Sequence, residues 1–141
     1  MKHIPAWATA YIAEWKQTLY LHEWTITTEL SPHPNDDSNG TKACVTVSPD
    51  VLFARLEIKD DIPDDLSECS EVVADDWKKT LIHELLHVKM GRVTEFVNQE
   101  LVPELAGSAQ GMAIKAFRRE VEPFVEIMSE VLYRLGRRDD S

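Results

Sequence analysis

The sequence predicts an α+β fold: one domain over residues 1–141, with an N-terminal helix, a small and mostly antiparallel sheet of about three strands, and helices thereafter. Three observations predict it. Short β-branched or alternating stretches fall between residues 23 and 58, and from Ser70 onward the apolar residues recur at helical spacing, interrupted only at Gly91, Pro103 and Gly107. The chain has 141 residues, 43% of them hydrophobic and 28% charged, which suits one soluble core and is short for two.

Taken in order, Ile4, Ala8, Tyr11, Trp15 and Leu19 mark one face of a helix over 5–20, with Pro5 suited to its first turn. "EWTITTEL" (Glu23 to Leu30) reads as a strand, and "SPHPNDDSNG" (31–40) as a loop. "KACVTVS" (Lys42 to Ser48) and "LFARLEI" (Leu52 to Ile58) read as two further strands joined tightly through Pro49 and Asp50. Helices are expected over roughly 70–90, 94–102 and 108–135. Gly91, placed after Lys89 and Met90, reads as the stop of the first of these.

Composition excludes several classes of function. A net charge of −10 argues against nucleic acid as a partner, and no apolar run approaches the roughly 20 residues that would span a membrane. The basic clusters, Arg118 with Arg119 and Arg134 to Arg138, suit helix ends. No secretion signal is recognisable in "MKHIPAWATAYIAEWKQ", so the expected compartment is the cytoplasm, with Cys44 and Cys69 as reduced thiols.

The chemistry is concentrated in "TLIHELLHVKMG" (Thr80 to Gly91). Leu81, Ile82, Leu85, Leu86 and Val88 make this a burial helix, yet His83 and His87 project from one face, four residues apart. Two imidazoles at that spacing can share one metal ion, and zinc is the ion that suits them, with a catalytic site taking three protein ligands in all. Glu84 sits on the adjoining flank, where its carboxylate can act on a water as general base and then general acid.

With His83, Glu84 and His87 in "HELLH", after a small sheet and before a helical C-terminal half, the chain resembles the minimal zincin metallopeptidases. The likeness is strongest to the short predicted metallopeptidases encoded by phages and prophages, through "WTIT", "ARLEI" and "TLIHELLH". That resemblance implies a Zn²⁺-dependent peptidase in a bacterial or phage-infected cell, hydrolysing a peptide or protein substrate with a metal-activated water.

The third ligand is open. An extended metzincin motif would need a glycine and a histidine where the chain has Met90 and Val93, and His3, His22 and His33 all lie upstream, so a downstream carboxylate is expected. Glu95, Glu100 and Glu104 read as solvated charges. In the last helix, a buried stripe of Val121, Val125, Met128, Leu132 and Leu135 would put Glu120 nearest, Glu122 further round and Glu126 almost opposite. The resemblance instead prefers Glu122, through "EPFVEIM", and the ligand set it implies is His83, His87 and Glu122.

Tyr133 is either an oxyanion donor or an exposed helical tyrosine, and the strand "LFARLEI" is the expected edge for an extended substrate. Two further readings share these residues: a zincin-shaped interaction or regulatory protein without turnover, and a hydrolase of non-peptide amides. Glu84 favours catalysis over a purely structural site.

Overall fold

A computed structural model of the protein describes residues 2–36 and 41–139, so positions 37–40 of the expected 31–40 loop lie outside the described residues. Helix α1 (Ala6–Thr18) buries Ala8, Ile12 and Trp15, and it begins directly after Pro5. Strands β1 (Thr25–Ser31), β2 (Ala43–Ser48) and β3 (Phe53–Lys59) form one sheet in the order β1-β3-β2. Helices α2 (Glu71–Lys89), α3 (Gly91–Phe96) and α4 (Ser108–Asp139) complete the α+β arrangement, with a π-helical turn (Val97–Leu101) and a 3-10 turn (Val102–Glu104) between α3 and α4. Among the described residues no helix is long and apolar enough to cross a membrane.

Sheet polarity follows from alternation. On β3, Ala54, Leu56 and Ile58 are fully buried, while Arg55 points the other way to an exposed position. Val45 lies beside Leu56 and Val47 beside Ala54, so the same face of β2 joins the core. One contiguous cluster then links this face to Trp77, Leu81, Leu85 and Val88 of α2, to Trp15 of α1 and to Val125 of α4.

Two expectations about the sheet are corrected. Only the β2–β3 ladder is antiparallel; β1 pairs with β3 in parallel, which makes the sheet mixed. Because β3 is hydrogen-bonded on both sides, "LFARLEI" is the central strand, and the free edge beside α2 belongs to β2. A tight turn does join β2 to β3, through a short 3-10 segment (Pro49–Val51) and Leu52 in the left-handed region (φ 51°).

The helix ends also differ from expectation at one point. Ser70 caps α2 by accepting from the Val73 N–H at 3.2 Å, but Gly91 does not end α2 as a left-handed stop. It is buried and opens α3, and a Cβ at that position would lie 2.7 Å from Val47 Cγ1. Gly91 is therefore a point where the helices approach the edge strand closely. Gly91→Ala should cost about 1–3 kcal/mol in denaturant unfolding, and adding Val47→Ala should return part of that loss.

Candidate metal centre

Helices α2 and α4 run antiparallel and meet along a polar seam with one contact per turn. Tyr133 donates its hydroxyl to Asp75, Lys79 pairs with Glu130 at 2.8 Å, Glu126 lies 3.0 Å from His83, and Glu122 lies 3.3 Å from His87. Each step moves four residues along α2 and three or four back along α4, as facing helices require. The seam brings a carboxylate on one helix to each imidazole on the other.

The geometry at its end is that of converging donors. His83 Nε2 and His87 Nε2 are 3.2 Å apart, Glu122 Oε1 is 3.3 Å from His87 Nε2, and Glu122 Oε2 is 3.8 Å from His83 Nε2. The three residues present ligand atoms within 4.8 Å of one another. Four ligands placed tetrahedrally at about 2.0–2.1 Å stand roughly 3.3–3.4 Å apart, so these spacings fit zinc.

The donor chemistry fits as well. Glu126 Oε2 faces His83 Nδ1 at 3.0 Å, and since a carboxylate only accepts, Nδ1 carries the proton and Nε2 presents its lone pair to the centre. Burial pushes the His87 imidazole down toward its neutral form, with the Glu122 carboxylate opposing and His83 assisting. Neutral imidazole is the form that binds a metal. The side chains of His83 and His87 are 19% and 22% exposed, which leaves them reachable from one side.

Glu84 stands apart from the donor set. Burial first, and then the Glu122 carboxylate, push its pKa up to about 8, against a hydrogen bond from the Val45 backbone that favours the charged form. It lines, with His83, His87 and Glu122, an open cleft of about 870 Å³ whose far wall is the edge strand β2. Cys44 is in the same wall, where burial, Glu84 and Glu57 push its thiol up, so it stays protonated and is a poor nucleophile.

The other residues singled out from sequence fall elsewhere. Glu120 is 81% exposed and within 3.9 Å of its neighbour Arg119, remote from the donors. Glu126, the third candidate ligand, faces the outer nitrogen of His83. Tyr133 is neither exposed nor in the cleft: it is buried and bonded to Asp75. Glu95 lines the cleft, whereas Glu100 and Glu104 are exposed away from it.

Sequence reasoning misses Asn98, whose buried Oδ1 has no hydrogen-bond partner among the described residues although the residue lines the cleft. Its position in a π-helical turn, a geometry frequent at functional sites, is invisible to a periodicity count.

The Glu126 contact yields a direct expectation. Glu126→Ala leaves all three donors in place but frees the His83 ring, so zinc affinity measured by competition with a chromophoric chelator should fall about 10–100-fold. No protein-family model matches the chain, and neither a curated protein nor a solved structure matches it.

Proposed function

We propose that the protein is a zinc-dependent peptidase of the small zincin type, working in the cytoplasm on peptide or protein substrates. The observation that carries this reading is the convergence of three donors within 4.8 Å beside a fourth acidic group, Glu84, that is left out of the donor set and faces an open cleft. A purely structural site would close its coordination with a fourth protein ligand and would have no use for such a neighbour.

His83, His87 and Glu122 would hold the ion, with Glu126 fixing the His83 ring. When bound, zinc acidifies a water and polarises a carbonyl oxygen. Glu84 supplies the proton handling: its carboxylate takes the proton of the attacking water and delivers it to the departing amide nitrogen. An extended peptide would lie along the free edge of β2, which among the described residues has no neighbouring strand on the cleft side and gives its Val45 N–H to Glu84.

The test is cleavage of a mixture of unstructured peptides, with products identified by mass spectrometry. New termini that require both zinc and Glu84, and vanish in Glu84→Gln while its zinc content is unchanged, support the reading. An absence of products from the zinc-loaded wild type across the mixture overturns it.

A further inference from the structure

Helix α4 carries a second apolar face. Phe124, Ile127, Val131 and Leu135 recur at steps of three and four residues and are 50%, 63%, 41% and 51% exposed. At about 100° per residue they form one stripe, roughly a third of a turn from the face that buries Val125. They expose roughly 400 Å² of apolar surface, about the size of the largest apolar patch on a typical folded monomer, a patch that is often functional.

Glu122 and Glu126 point about 160° away from Phe124 around the helix. Covering the stripe therefore leaves the cleft open, and an association through this face does not depend on the metal reading.

We propose that this face pairs with the same face of a second copy of the chain, with the two α4 helices antiparallel about a two-fold axis. The charges along its flank carry the choice of partner and direction. Glu120 and Arg134 lie seven positions either side of Ile127, along one edge of the stripe, and these opposite charges meet across a two-fold pair only when the helices run oppositely. If Phe124 of one copy faces Ile127 of the other, Glu120 falls within a turn of the second copy's Arg134.

Two-fold symmetry repeats the pair, giving two in all. A parallel pairing would instead leave Glu120 and Arg134 about 20 Å apart along the helix axis, with no pair formed. In the single chain Arg119 pairs with Glu120 at 3.9 Å and Arg134 with Glu130 at 2.9 Å, both along α4, while the other oxygen of Glu130 holds Lys79 of α2. The two arginines are 76% and 75% exposed, free to swing outward.

The apolar stripe supplies about half of the roughly 800 Å² per partner that a standard interface buries, which suits a weak and reversible pairing. The net charge of −10 on each copy opposes association. The expected dissociation constant is on the order of 10 µM.

Sedimentation equilibrium of the full chain from about 1 µM to about 300 µM, at about 0.15 M salt, tests the proposal. The expected average mass rises from near 16.1 kDa toward twice that value. Ile127→Glu, at an exposed position, should stay monomeric with an unchanged circular dichroism spectrum. Glu120→Lys and Arg134→Glu should each weaken the dimer about 3–10-fold, and the double variant should recover it.

A wild type that remains monomeric throughout overturns self-pairing. A dimer that survives Ile127→Glu places the interface elsewhere and equally overturns it. Failure of the double variant to recover overturns the antiparallel register.

Discussion

Adding zinc to the metal-free protein should raise its melting temperature by roughly 10 °C at a hundredfold excess over the dissociation constant, and this rise should vanish in His83→Ala and His87→Ala. A ligand that binds only the folded state at that excess contributes about 2.7 kcal/mol, and a chain of this length gains a few degrees per kcal/mol. The folded chain holds the donors ready: two ring nitrogens 3.2 Å apart, one of them committed to presenting its lone pair by the carboxylate behind it. Unfolding separates His83 and His87 from Glu122, which is 35 positions further along the chain than His87, and so destroys the site. Scanning calorimetry of the three proteins with and without zinc reads the effect. An equal rise in all three would show that zinc binds elsewhere.

Glu84→Gln should abolish hydrolysis by about 10²–10⁴-fold while making the metal-free fold more stable in alkaline solution. The stability effect comes from where the Glu84 proton is held. Its pKa is raised from near 4.5 to about 8, with burial the main cause, so the folded state keeps a proton that the unfolded chain releases. The native state therefore binds more protons across that window, and stability is full below about pH 4.5 and is lost as pH rises through about 8.

Glutamine has the shape of the protonated acid and no charge to release, which removes the loss. Wild type and variant should unfold alike near pH 5 and differ by on the order of a few kcal/mol above pH 8, with solvent in the open cleft screening the charge. Parallel urea titrations at the two pH values decide it. Saturating zinc should narrow the gap, because a nearby cation favours the carboxylate. A variant no more stable than wild type at high pH would remove the cost assigned to the Glu84 charge.

Legibility in the sequence depends on how local each feature is. His83, Glu84 and His87 lie within a single turn and a half, so their shared face follows from helix geometry alone. The third carboxylate depends on how α4 is rotated against α2, and there the apolar pattern misleads. Leu135, assigned to the buried stripe, is 51% exposed, whereas Ser129 and Tyr133 are buried at 2% and 7%. A serine and a tyrosine in the seam break the apolar repeat, while Phe124, Ile127, Val131 and Leu135 add a competing one.

Turning the buried face by roughly 60–80° carries Glu122 inward and Glu120 out. The edge strand escapes sequence reading for a related reason. Order in a sheet is set by long-range pairing, and the parallel β1–β3 ladder that puts β3 in the centre leaves no mark on the composition of either strand. Gly91 is recognisable as a punctuation residue, but its purpose, close approach to Val47, is a tertiary fact.

The seam between α2 and α4 has an ambiguity built into it. Glu122, Glu126 and Glu130 repeat every four residues, so sliding α4 by one turn would offer His87 and His83 a fresh pair of acids and preserve the chemistry in kind. Such a slip is blocked at the far end, where Tyr133 is anchored to Asp75 and Gly136 fits against the Trp15 ring. The identity of the third donor is thus decided about three to four turns away from it, by a phenol and a glycine that touch no part of the cleft.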